Sequence, residues 1–186
     1  ILFYAEGVDT GNEESLTHVN QFADRSYYYV TSSSSSGKRM QPYTEPAAAP
    51  NLFMSNYDGY QFHEVDLVNA GKIGRRWFGE NFNVVGNQNF SFSLPNYVAG
   101  SLVNFSSNVA AVSFVTTSFR FKANNVEIGN LPINAASGSV LGFENILNTT
   151  FTPTNNSVTI NLEYSNNGVP SSKGYLDYII LKYNAE

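Results

Sequence analysis

The stretch VTINLEY, residues 158–164, decides the fold class of this chain. Every second residue in it, starting with the valine, is apolar and the residues between are polar. This pattern is typical of a strand with one face in a hydrophobic core. The same alternation recurs at residues 90–94 and 119–122. Residues 110–115 and 175–183 are apolar on both faces, which predicts strands at the centre of a sheet.

Residues that favour tight turns separate these segments. They are Gly86-Asn87, Asn124-Asn125, Gly129-Asn130, Asn155-Asn156 and Asn166-Asn167-Gly168. About nine to eleven short strands at this spacing predict an all-β fold, an antiparallel β-sandwich of the jelly-roll kind. Residues 66–80 are the one stretch that could form a helical turn. Glycines within it weaken a helix, so we expect at most one short helix.

The N-terminal third of the chain combines strand and loop patterns. Residues 25–31 (RSYYYVT) and 53–66 are rich in β-branched and aromatic residues, which predicts two strands. Five serines at 32–36 and three prolines within 42–50 predict two loops. With 186 residues, of which 42% are hydrophobic, the chain has the size of one domain, and we assign residues 1–186 to a single β-sandwich.

Composition and charge exclude several classes of function. The 10 basic and 15 acidic residues give a net charge of −5, which disfavours binding to nucleic acid. The absence of cysteine excludes disulfides, Cys-ligated zinc and thiol catalysis within this chain. No apolar run reaches the ~18–20 residues of a membrane-spanning segment. The chain starts at Ile1 without a signal-peptide pattern, so we expect it to be a piece of a longer protein whose targeting signal would lie outside this sequence.

No set of residues predicts catalysis or metal binding. The only histidines, His18 and His63, have no partner at a catalytic or metal-binding spacing and are interpreted as structural. The acidic pair Glu13-Glu14 is interpreted as solvated charge. Asp9, Gly11 and Asn12 only weakly resemble a calcium loop. We therefore predict no catalytic residue, no metal and no cofactor.

The most distinctive local motif is RRWFGE at residues 75–80, which we call the Arg-Trp cluster. It contains the only tryptophan and two neighbouring guanidinium groups, which can pair with carboxylates or stack on aromatic rings. One interpretation is that Trp77 plugs the sandwich while the arginines tie a loop to the sheet. The other is a partner-binding surface, whose candidate residues are Arg75, Arg76, Trp77 and Glu80.

Asp177 is a second residue that the pattern singles out. It lies in the apolar run GYLDYII, where a carboxylate needs a partner. We expect an arginine or the N–H groups of a neighbouring strand to supply that partner, in a structural role.

Several blocks of the sequence resemble a known family. These are ILFYAEG at 1–7, DRSYYYVT at 24–31 with GKR at 37–39, DLVNAGKIGRRWFGENF at 66–82, and GYLDYIILKYNAE at 174–186. In this order and spacing they resemble the region that precedes the catalytic domain in gingipain-like, family C25 cysteine peptidases. Within that family they are similar to the sortase of the type IX secretion system of Bacteroidetes.

The resemblance implies a cell-surface, outer-membrane-associated parent protein. Its caspase-like peptidase domain, with a Cys–His dyad, would follow Glu186, cleave the C-terminal signal from secreted cargo and attach the cargo to an anionic lipopolysaccharide. This chain has no cysteine nucleophile and would be a non-catalytic accessory domain. Its expected partners are its own peptidase domain, cargo proteins and outer-membrane secretion components.

Three other functions remain open from the sequence. A carbohydrate-binding module is consistent with 12 tyrosines and one tryptophan, although most aromatic residues sit at core positions. An adhesin-like surface domain is consistent with 24 asparagines, 21 serines and only 13% charged residues. A self-contained hydrolase would require a cleft with clustered carboxylates.

Overall fold

The computed structural model describes residues 5, 7–8, 18–20, 22–35, 37–38, 41–45, 49, 52–70 and 76–186. In these ranges the chain forms eight strands and no helix. The strands are β1 (Tyr57–Glu64), β2 (Asn87–Ser93), β3 (Val103–Val112), β4 (Thr117–Ala123), β5 (Val126–Ile133), β6 (Phe143–Phe151), β7 (Ser157–Ser165) and β8 (Lys173–Ala185).

The strands form two four-stranded antiparallel sheets. The first sheet has the order β1-β8-β3-β6 and the second the order β2-β7-β4-β5. Two sheets with this strand order constitute a jelly roll, which confirms the predicted all-β sandwich. The two-faced apolar run at 175–183 lies in β8 and residues 110–112 lie in β3, the central strands of the first sheet, as their pattern predicted. Residues 113–115 of the other run lie beyond the end of β3, and Phe114 is 78% exposed.

The core lies between the two sheets and is built from the alternating residues. Val158, Ile160 and Leu162, and Phe119 and Phe121 in β4, are buried. The polar residues between them are exposed or half-buried, apart from Asn161, which is buried. Phe82 and Phe105 add two more rings, in edge-on contact with Phe119 and Phe121 respectively. Period-two alternation therefore identified the buried face correctly.

Two of the predicted turns close as the sequence indicates. Asn124 and Asn125, with φ of 47° and 69°, form the two-residue hairpin between β4 and β5. Asn167 and Gly168 take positive φ between β7 and β8. Asparagine and glycine tolerate this left-handed conformation better than other residues. The predicted turn at Gly129-Asn130 is wrong: both residues lie inside β5, where a Cβ on Gly129 would meet the Leu147 side chain at 2.6 Å.

Three further expectations are corrected. Residues 25–31 form no strand, and Tyr29 within them is 92% exposed; strand propensity yields a strand only where a partner strand is available. The described parts of 66–80 contain no helix, because Val68 and Phe78 pair as an antiparallel bridge instead. The strand count in the described ranges is eight, below the nine to eleven expected.

The chain divides into two compact units, residues 1–55 and 56–186. All eight strands belong to the second unit. In the first, the described residues of the predicted loops at 32–36 and 42–50 are exposed, whereas His18 is buried. The assignment of residues 1–186 to one domain, N-terminal to a peptidase domain, stays a prediction.

Gly59 in β1 packs directly against the ring of its cross-strand partner Tyr183. A Cβ at this position would approach the ring carbons to 2.4 Å, and Tyr183 is itself buried. We expect Gly59→Ala to lower the free energy of unfolding by about 1–3 kcal/mol, because inserted atoms overpack a filled site. Urea unfolding measures it, with exposed Asp58→Ala as the control. A Gly59→Ala midpoint equal to that of the control would contradict this packing.

Candidate docking surface around Arg76 and Trp77

The Arg-Trp cluster belongs to the connection between β1 and β2, and hydrogen bonds fix it to the first sheet. Phe78 N donates to Val68 O at 2.8 Å, which closes the loop on itself. Gly79 N donates to Leu176 O at 2.7 Å, and Leu176 N donates to Glu80 O at 3.0 Å. Residues 79 and 80 therefore run beside the start of β8 like a short extra strand. These bonds hold the preceding residues Arg76 and Trp77 in a defined place.

Arg76 ties the loop to two carboxylates. Its Nη2 lies 3.2 Å from Asp177 Oδ2, and it also donates to Glu144 Oε2. The guanidinium carbon lies 5.8 Å from the centre of the Phe78 ring. The arginine side chain is still 59% exposed, so one face of the guanidinium remains available to solvent. Arg75, the other candidate arginine, lies outside the described residues.

Asp177 has the partner that the sequence demanded. It occupies a β-bulge: β3 pairs with Tyr178 and then with Leu176, which leaves Asp177 without a register partner. Arg76 and Asn108 Nδ2, which donates at 2.9 Å, compensate for its burial. Burial raises the pKa of Asp177 to about 6 because desolvation outweighs the lowering by Arg76 and Asn108. The prediction of an arginine partner is confirmed.

Trp77 does not plug the sandwich. It is 40% exposed, and its neighbour Phe78 is the buried aromatic residue, packed 5.9 Å from the ring of Tyr175. The bridge between Val68 and Phe78 sets this alternation, because successive side chains of an extended segment point to opposite sides. The loop thus exposes part of a large amphipathic ring on the side of the segment opposite to Arg76 and Phe78.

Glu80 has a different partner from Arg76. Its Oε1 lies 2.8 Å from His63 Nε2, and its Oε2 has no hydrogen-bond partner. The His63 ring packs against Phe90, with 4.8 Å between ring centres. Both polar side chains line a cavity of about 440 Å³ between β1 and β2. Of the described candidate residues, Arg76 therefore pairs with Asp177 and Glu144, whereas Glu80 belongs to this cavity. The call of a partner-binding surface stays a prediction.

Sequence reasoning missed Glu144, Asn108 and the pairing of His63 with Glu80. Glu144 and Asn108 come from β6 and β3, and Glu80 from the loop that follows β1, and no local pattern marks their contacts. No group of three metal-binding side chains occurs within the described ranges. The residues of the weak calcium motif and the Glu13-Glu14 pair lie outside those ranges. The part of the chain that the structure covers contains no helix able to cross a membrane.

The outer face of the second sheet carries a second shallow cavity, of about 470 Å³. Arg120 and Lys122 both pair there with Glu163. Two aromatic residues line it: Phe82 is buried and Tyr164 is half-buried, and both pack into the core. The described residues that line this cavity include no exposed ring on which a sugar could stack.

No protein-family model and no curated protein matches the sequence. In structure, the chain is similar to dimeric latent PorU from Porphyromonas gingivalis, with a TM-score of 0.61 and 22% identity. The match covers 77% of this chain and 14% of the PorU chain, so this chain spans a small part of that protein.

Two further structures are more distant. The insecticidal delta-endotoxin Cry8Ea1 from Bacillus thuringiensis matches at a TM-score of 0.43, with 16% identity over 57% of this chain and 19% of that chain. The carbohydrate-binding module CBM36, in complex with calcium and xylotriose, matches at 0.41, with 17% identity over 69% and 99%. The likeness to PorU shows a shared fold; the two weaker ones carry no argument about function.

Proposed function

We propose that this chain is a non-catalytic accessory domain of a cell-surface, family C25-type cysteine peptidase or sortase of the type IX secretion system. The observation that carries the proposal is the fold shared with one part of PorU over 77% of this chain. The sequence blocks that resemble C25 peptidases support it; the block at 66–82 contains the cluster, and the block at 174–186 forms most of β8. Because the chain contains no cysteine, the nucleophile would come from another domain.

The partner-binding surface in this proposal is centred on Trp77 and Arg76. Trp77 and Arg76 follow each other in one loop, are both partly exposed, and belong to two of the residue types enriched at binding hot spots. The network of Arg76 with Asp177 and Glu144 holds the arginine in place before a partner arrives, which reduces the entropy lost on binding. The partner would be the peptidase domain or a cargo protein.

The reading frame that encodes this chain gives the first test. We expect a caspase-like domain containing a cysteine and a histidine to follow Glu186. A frame that stops there, or that continues into repeats, would overturn the proposal.

Trp77→Ala in the full-length protein gives the functional test. We expect removal of the C-terminal signal from cargo to fall at least fivefold, since truncating a hot-spot residue costs about 2 kcal/mol or more. The thermal midpoint should change little because the ring is exposed. Phe114→Ala is the matched control, as Phe114 is an exposed aromatic residue on the loop between β3 and β4. Equal cargo processing by both variants and the wild type would refute Trp77 as a docking residue.

A further inference from the structure

β2 is an edge strand, and none of the described residues pairs with its outer side. It pairs with β7 alone, at the edge of the second sheet. Gly86 O and Leu94 N bond towards the β7 side, to Tyr164 N and Asn156 O. In a strand, backbone groups of alternate residues point to the same side, so the even-numbered residues of β2 bond to β7. The N–H and C=O groups of Asn89, Ser91 and Ser93 consequently point away from the sheet.

Within the described ranges, no backbone hydrogen bond reaches this outer side of β2. Unpaired edge groups are a template for another extended chain, and natural sheets commonly block them with proline, charge or a bulge. The sequence of β2, NQNFSFS, has no proline and no charged residue, and its pairing with β7 is regular. The edge therefore lacks the usual protection against strand addition.

Space and charge are present beside this edge. The cavity of about 440 Å³ runs along it and is lined by residues 61–63 of β1, residues 88–93 of β2 and Glu80. Among the described residues of that lining, Glu80 and His63 are the ionisable side chains, and none is a lysine or arginine. The carboxylate of Glu80 has His63 as its partner at one oxygen and no donor at the other. A cationic group in the cavity would supply that missing donor.

We propose that the outer edge of β2 binds an extended peptide as an added strand, with a lysine or arginine side chain of that peptide directed to Glu80. Backbone hydrogen bonds to Asn89, Ser91 and Ser93 provide sequence-independent affinity, and the carboxylate provides selectivity, which is the usual division in strand addition. The inference rests on the geometry of the sandwich and does not depend on the proposed function.

A peptide-display selection on the purified chain tests both parts. The probe is a library of random octapeptides, followed by fluorescence polarisation with the enriched sequence. We expect enrichment of peptides with a lysine or arginine at one fixed position. Replacing that residue by glutamate should weaken binding at least tenfold. A selection without enrichment, or one without a basic preference, would overturn the proposal.

Substitutions in the chain test separately the backbone pairing at the edge of β2 and the recognition of a basic side chain by Glu80. Ser91→Pro removes an N–H that points to the open side and no bond to β7, so it should abolish binding while the sandwich stays folded. Ser91→Ala, which keeps the N–H, should bind as the wild type does. Glu80→Gln should retain binding and lose the preference for a basic side chain. Unchanged binding by Ser91→Pro, with folding confirmed by circular dichroism, would exclude strand addition at β2.

Discussion

Replacing Phe119 by alanine is expected to lower the free energy of unfolding by about 3–5 kcal/mol, the range for truncation of a fully buried phenylalanine. Phe119 has no exposed surface and lies where the core is densest in rings. Its centroid is 5.2 Å from that of Phe82 and 4.8 Å from that of Tyr164. Alanine would leave a cavity that these rigid neighbours cannot fill. Because domains are stable by only about 5–15 kcal/mol, much of the native stability would be lost.

Thermal and urea unfolding of the purified chain measure this effect. We expect the Phe119→Ala midpoint to fall by roughly 10 °C or more. Phe114→Ala removes the same atoms from a side chain that is 78% exposed, and its midpoint should stay within a few degrees of the wild type. A Phe119→Ala midpoint no lower than that of Phe114→Ala would show that the two sheets do not pack around Phe119 as described.

Replacing Asp177 by asparagine is expected to stabilise the protein at neutral pH. The carboxyl has an ordinary pKa of 3.8 in the unfolded chain, and burial raises the pKa to about 6 in the folded one. The folded state therefore binds this proton more tightly than the unfolded state does. The resulting contribution to the free energy of unfolding is fully present below pH ~4 and is lost as the pH rises through 6. This difference between the two pKa values lowers the free energy of unfolding by about 3 kcal/mol between pH 4 and pH 8. Asparagine cannot ionise and avoids this loss.

Urea unfolding of both proteins across pH 4–8 isolates this single group, because every other titration is common to the two. We expect Asp177→Asn to exceed the wild type by about 1–3 kcal/mol at pH 8 and to lose that advantage towards pH 4. Glu144→Gln is the control, since Glu144 shares Arg76 but is half-exposed and surface ion pairs contribute little. A stability difference between Asp177→Asn and wild type that does not vary with pH would contradict the burial of an ionised carboxylate here.

The sandwich could be predicted from the sequence because several of its strands show a local alternation of apolar and polar residues. Alternation at Phe119 and Phe121 and through residues 158–164 reflects one buried face, which depends only on neighbours along the chain. The bulge at Asp177 was not predictable, since it depends on the register between β8 and β3. Residues 25–31 have the composition of a strand, but whether they pair depends on a partner that composition does not reveal.

The candidate site was predictable only in part for the same reason. Arg76 and Trp77 stand out as a local motif, and the need of Asp177 for a cation followed from its apolar neighbours. Glu144 reaches Arg76 because β6 lies next to β3 in the first sheet. His63 reaches Glu80 because β1 and the segment that contains Glu80 both bond to β8. Contacts of this kind depend on the order of the strands in the sheet, which the alternation of apolar and polar residues does not reveal.

The strand order of the first sheet also governs when the domain can fold. β1 pairs only with β8, and β8 inserts between β1 and β3, so the first and last strands of the sandwich must meet before that sheet is continuous. Contacts between distant parts of a chain form slowly, on a scale of roughly milliseconds to seconds. A chain still emerging from the ribosome without residues 173–185 would lack the centre of the sheet. The domain should therefore become protease-resistant only after its last strand is synthesised.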